Sequence, residues 1–271
     1  SGGGSGGGGS GGTTDPPETN TPPCTEPIIP TNPESGFTDE NGCLIGIPTL
    51  PNLPPRNNPC EKTKALLETQ QVKDAITYLK NHINSGVGGE KGWKFNKDGT
   101  TAPTIQNSAH SVYVGDPSTL NGLYHNHTGT TLDMFSATDI DTLLEIVRYQ
   151  SIGNTSNGFS GMVAPDGIHY VISFNGSHSD LPPIGTFSEI DIEVLKIRQY
   201  RNQQRLLADT SGVYCNTQTG KLNYVGLEKV FMDTIKAMGL DNKIVLLRID
   251  SEGIKTIQQN TDGTITAIPC V

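Results

Sequence analysis

The sequence has no run of roughly eighteen apolar residues, so nothing in it reads as a membrane-spanning helix. It has no Cys-x-x-Cys pair, which argues against a cysteine zinc site. It has no His-Glu-x-x-His and no Walker phosphate loop, and Gly-x-Ser-x-Gly occurs only as composition within the Gly/Ser stretch of residues 1–12, which sets aside three common hydrolase and nucleotide-binding classes. No cysteine stands near a histidine in a recognisable nucleophile signature. Basic residues form no cluster along the chain and the net charge is −9, so the electrostatic footprint of a nucleic-acid binder is missing. No internal repeat is found. The first residue is Ser1, not Met, which reads as the start of a processed or trimmed product.

What is present divides unevenly among the 271 residues. Residues 1–12 are only Gly and Ser, and residues 13–59 hold 12 of the 18 prolines. Such a stretch buries too little apolar surface to offset its ordering entropy, so 1–59 reads as a disordered tether and 60–271 as one folded domain. The Gly/Ser stretch is either an engineered linker or a natural spacer. The Pro-rich segment behind it favours a natural stalk, with a lipid-modified cysteine upstream of Ser1 as the hypothesis it suggests. Five cysteines, Cys24, Cys43, Cys60, Cys215 and Cys270, are widely spaced. They fit one or two disulfides of an extracytoplasmic protein, or unpaired thiols without a role.

The coarse pattern is α+β, or mixed α/β. Glu61–Asn84 reads as a helix, with Val72, Ile76, Leu79 and Ile83 on one stripe and Gly86 closing it. Glu90–Lys97 reads as a strand turning at Asp98-Gly99, a second strand falls within 101–114, and Gly122–His127 makes a third. Thr138–Gln150 is helical, and Gly158–Ala164 with Ile168–Phe174 forms a hairpin. Helices over Phe187–Ala208 and Tyr224–Met238 precede a small meander of Lys243–Ile249, Ile254–Gln259 and Thr264–Ile268.

The chemistry concentrates in His125-Asn126-His127 and Ser136-Ala137-Thr138-Asp139. Strand alternation points both imidazoles to one face. A carboxylate in the first turn of the next helix can swing back to them. Two imidazoles and a carboxylate make a three-ligand metal set with a position left for water. Ser136 and Asp139 are also spaced as a capping box, which alone accounts for them without any metal. Asp133 is a second-choice carboxylate. His110 is a candidate behind the ligands. His82 reads as solvated, His169 and His178 as structural or exposed, and Trp93 as core.

The order Glu, His-x-His, Ser-x-x-Asp resembles the motif of the JAMM (MPN+/JAB) zinc metalloproteases, over roughly 60–175. The resemblance implies a JAMM-like mixed β-sheet flanked by helices, with 176–271 as a helical and β-meander extension. It implies Zn2+ held by His125, His127 and Asp139. It implies Glu90 as general base and Ser136 as support for the tetrahedral intermediate. Glu61 and Glu68, the other glutamates between stalk and histidines, fall on the first helix. Two positions depart from the family. Thr128 stands where proline is usual, and 128–135 places eight residues before the serine instead of seven. The form of the motif with its terminal Pro-Cys is also similar to surface proteins of Bacteroidetes-type bacteria.

The reading that follows is a zinc-dependent hydrolase of amide bonds in a peptide, isopeptide or peptidoglycan-type substrate. Its place would be extracytoplasmic, lipid-anchored at a bacterial cell surface, within a larger surface assembly. The alternative is a catalytically weak or inactive surface-binding protein that keeps the fold. A metal-dependent nuclease ranks third, because the acidic chain lacks a phosphate-binding surface.

Overall fold

Thr69 splits the first helical stretch in two. The single helix expected over Glu61–Asn84 is α1 (Pro59–Glu68) followed by α2 (Gln70–Ser85). Thr69 leaves the helical region at ψ 142°, and its side chain accepts from Val72 N as the N-cap of α2. Gly86, at φ 67°, ends α2 in the left-handed conformation that glycine favours. Val72, Ala75 and Leu79 form the buried stripe of α2, with Ile76 and Ile83 half-buried beside it.

These are coordinates of a computed structural model that describes residues 58–270. The chain divides into two units, Ser1–Leu53 and Pro54–Val271. The tether expected over 1–59 lies outside the described residues except for its end, where Asn58 caps α1 and Pro59 begins it. Cys24 and Cys43 also lie outside.

Beyond α2 come β1 (Gly92–Asn96), β2 (Thr101–Pro103), β3 (Leu120–Asn126), α3 (Ala137–Arg148), β4 (Phe159–Val163) and β5 (His169–Phe174). They are followed by α4 (Glu189–Leu207), β6 (Cys215–Asn216), β7 (Lys221–Leu222), α5 (Tyr224–Ala237), β8 (Ile244–Asp250), β9 (Gly253–Gln259) and β10 (Ile265–Pro269). Eight strands form one sheet in the order β10-β9-β8-β5-β4-β3-β1-β2. Among the described strands only β3 and β4 pair in parallel, and α3 is the crossover between them. The fold is therefore mixed α+β. The C-terminal meander continues this sheet through pairing of β8 with β5. The strand expected from Glu90 starts two residues later, at Gly92. The two-residue pairing of β6 with β7 has no hydrophobic alternation and was not legible in the sequence.

The central strands are buried on both faces, as a sheet covered by helices requires. On one face Val72, Ala75 and Leu79 pack on Phe95, Tyr124, Val163 and Val171. On the other, Ile140, Leu143, Leu144 and Val147 of α3 join Met162, Tyr170, Ile172, Phe231 and Leu246. Each such side chain contributes roughly 1.5–3 kcal/mol over an exposed one. Gly161 on β4 is required by close approach, since a Cβ there would lie 2.2 Å from Cζ of Tyr124.

A disulfide joins Cys60 in α1 to Cys270 just past β10, with 5.5 Å between their Cα atoms. Cys215 is a half-buried free thiol. Among the described residues, no helix is long and apolar enough to cross a membrane.

Candidate metal centre

β3 carries His125 near its end, and its parallel pairing with β4 carries the chain one step further. His127 N donates to Val163 O at 2.8 Å, so the extended backbone persists past the last strand residue. Both imidazoles therefore lie on the α3 side of the sheet, buried against Phe135 and the helix start. Met134 and Phe135 are fully buried and pin the loop before α3 into the core. That fixes the first turn of α3 over the histidines and places Asp139 beside them.

The three side chains converge. Nε2 of His125 and Nε2 of His127 lie 3.0 Å apart. Asp139 Oδ1 is 3.4 Å from the first, and Oδ2 is 3.8 Å from the second. Among the described residues this is the group of three such side chains placed to hold a metal ion, with ligand atoms within 4.8 Å of one another. Ligands about 2.0–2.1 Å from one ion in a tetrahedron stand roughly 3.3–3.4 Å from each other. The separation of the two imidazole nitrogens is a little below that edge, and that of His125 from Asp139 Oδ1 matches it.

Protonation agrees with ligation. Leu132 O lies 2.8 Å from Nδ1 of His127, and a carbonyl only accepts, so Nδ1 carries a hydrogen and Nε2 is the nitrogen turned to the site. Burial pushes the His125 imidazole down to about 4, opposed by the Asp139 carboxylate and assisted by His127. It is neutral at pH 7, as a ligand must be. Burial alone would raise Asp139. The two histidines and hydrogen bonds from Ser136 outweigh it and hold the carboxyl below its ordinary value. Nδ1 of His125 is buried without a hydrogen-bond partner.

The capping box leaves Asp139 able to serve as a metal ligand as well. Asp139 Oδ2 accepts from Ser136 N at 2.7 Å and from Ser136 Oγ at 2.8 Å, while Asp139 N donates back to Ser136 Oγ at 3.3 Å. One carboxylate oxygen thus closes the helix N-terminus and the other faces His125. Ser136 reaches the site with its hydroxyl hydrogen committed to Asp139.

Glu90 joins the group from the segment between α2 and β1. It lines the same groove as His125, His127, Ser136 and Asp139, a groove of about 720 Å³. Burial pushes its carboxyl up to about 7, with His127 opposing and Asp139 adding to the rise. The far wall of the groove is α4, through Glu189, Lys196, Gln199 and Tyr200. Gln199 is buried and donates to Phe135 O at 2.9 Å, tying α4 to the loop that sets the site. Sequence reasoning missed this wall, because α4 lies some fifty positions past the motif with no chemical signature of its own.

The remaining candidates sort by contact. Asp133 is buried, accepts from Gly129 N at 3.0 Å, and stands outside the three-ligand group. That bond helps turn the longer loop, with Gly129 at φ 74°. His110 is exposed on the groove rim. His82 is half-buried, not solvated, with Nε2 3.0 Å from Gly89 O. His169 is buried against the Tyr124 hydroxyl at 3.1 Å, and His178 lies 3.0 Å from Gln150 O. Trp93 packs on Tyr78, half-buried.

Compared with protein-family models, curated proteins and solved structures, the chain matches none of them.

Proposed function

We propose that this chain is a zinc-dependent hydrolase of amide bonds, JAMM-like in its site, acting on a peptide, isopeptide or peptidoglycan-type substrate. The observation that carries the reading is the convergence of His125, His127 and Asp139 in a groove that also buries Glu90. Two neutral imidazoles and one carboxylate suit zinc, and three protein ligands are the donor count of catalytic zinc sites. Zinc bound there supplies Lewis-acid polarisation of a carbonyl and lowers the pKa of water toward about 7.

The chain's own residues do the rest. Leu132 O fixes the His127 tautomer, and Ser136 fixes the Asp139 carboxylate. Glu90 takes the proton of the attacking water and delivers it to the leaving amine. The walls from α3 and α4 flank the space in which a substrate would lie over the end of β3. The Cys60–Cys270 disulfide fits an oxidising, extracytoplasmic compartment. One observation favours the rival reading of a binding protein with a weakened site. Nδ1 of His125 has no partner to orient the ring.

Metal analysis of the metal-replete chain tests the proposal. One zinc per chain is expected, lost in His125→Ala/His127→Ala and in Asp139→Ala. Zinc retained unchanged in the double variant sinks the site. Zinc bound without turnover of cross-linked peptides or peptidoglycan amides supports the binding-protein reading instead.

A further inference from the structure

The outer face of α4 carries a pattern that the metal groove does not use. Ile190, Val194 and Ile197 follow i, i+4, i+7 and are 75%, 58% and 50% exposed. Arg201 continues the same line, and Arg198 and Arg205 flank it at i, i+3, i+7 spacing. The sequence expectation that basic residues do not cluster fails here. The three arginines and Lys236 of α5 line a groove of about 640 Å³ between the two helices.

Their charges are largely unspent. Among the described residues, no carboxylate pairs with Arg198 or Arg201, while Arg205 donates to Asn202 Oδ1 at 2.7 Å and pairs with the Asp233 carboxylate at 4.0 Å. Asp233, the acid of this groove, already accepts from Lys229, Asn202 and Gln259. Like charges three and four residues apart weaken a helix. Of the acids on the apolar half, Asp191 accepts from Ser188 and Glu193 pairs with Lys196 at 2.7 Å, while Glu189 is exposed on the side of the metal groove. A chain of net charge −9 thus sets two unpaired arginines, Arg198 and Arg201, next to exposed aliphatic side chains.

We infer that this face of α4 docks on an anionic membrane surface. The arginines and Lys236 receive lipid phosphates in the α4–α5 groove. Ile190, Val194 and Ile197 enter the boundary between headgroups and acyl chains. The occupant follows from the pairing of chemistries. A free phosphate accounts for the arginines and leaves the aliphatic line in water. The headgroup boundary of an anionic bilayer meets both, and a helix of this length lies flat on it for about 28 Å. The same helix walls the metal groove on its other flank, so docking brings that groove to the membrane surface.

The test is co-sedimentation of the full chain with vesicles of phosphatidylcholine alone, or with roughly one-third phosphatidylglycerol. Binding at least about tenfold stronger to the anionic vesicles, fading with salt, is expected. Arg198→Glu/Arg201→Glu/Arg205→Glu should abolish it. Ile190→Ser/Val194→Ser/Ile197→Ser should weaken it about tenfold with the arginines intact. All six positions are solvent-facing, and circular dichroism confirms that both variants fold. Equal weak binding to the two vesicle types overturns the inference. So does an arginine variant that binds like the parent. Unchanged binding in the aliphatic variant overturns it as well, reducing the face to a phosphate site. Loss of a dimer in the arginine variant, without vesicle binding in the parent, assigns the face to a second copy instead.

Discussion

At the scale of single residues, Asp139 shows how one side chain serves structure and chemistry together. Its two oxygens are divided between the helix N-terminus and the histidines, so the bland reading and the chemical one describe the same atoms. The grouping of His125, His127 and Asp139 was legible because strand alternation and helix capping are local rules that a spacing can reveal. Glu90 was legible only through the order of the motif, since its burial depends on the groove around it. Its role has a sharp test. On the proposed function, Glu90→Gln should leave the metal content unchanged and lower amide hydrolysis by about 10²–10⁴-fold. An unchanged rate on metal-replete protein removes Glu90 from the mechanism.

His169 supplies a separate prediction, on stability. Burial, aided by the Lys80 charge, pushes its imidazole down to about 3 from an ordinary 6.5. Below pH 6.5 the unfolded chain therefore binds a proton that the native chain refuses. Its contribution is fully present above pH 6.5 and is lost as pH falls toward 3, by about 1.4 kcal/mol per unit. His169→Gln should flatten the fall of urea stability of metal-free protein between about pH 6 and 4 by that slope. Parallel profiles for parent and variant would contradict it.

At the scale of elements, the parallel pair β3–β4 with its crossover α3 builds the site. The strand sets the histidines, the pinned Met134-Phe135 sets the loop, and the capped first turn sets the carboxylate. The strands and helices were legible in outline from periodicity. The break at Thr69 was not, because the apolar stripe of α2 runs on without a proline or glycine to mark a stop. The contribution of α4 was hidden for a different reason, since it comes from a contact across long sequence separation. Gly161 tests how tightly β3 and β4 fit. Gly161→Ala drives a methyl into the buried Tyr124 ring and should cost about 1–3 kcal/mol in urea unfolding. A variant as stable as the parent would show that the ring has room to move.

At the scale of the whole domain, long-range closure joins what local rules cannot. Cysteine spacing left the pairing open, and only the folded arrangement brings Cys60 beside Cys270 across 210 positions. In the chain-entropy view such a closure is worth up to about 5 kcal/mol. Cys60→Ser/Cys270→Ser should lower the urea midpoint accordingly, with the grouping of His125, His127 and Asp139 intact if the sheet still forms. A midpoint equal to the parent's would mean that helix and strand packing already holds the ends.

That bond also decides how the domain bears load. Tension applied through the chain on either side enters at Cys60 and leaves at Cys270, and the sulfur–sulfur bond carries it. The sheet between them is mechanically bypassed, so pulling neither peels strands apart nor opens the metal groove. In a single-molecule extension experiment, the roughly 70 nm of chain inside the loop should stay hidden until a reductant is added.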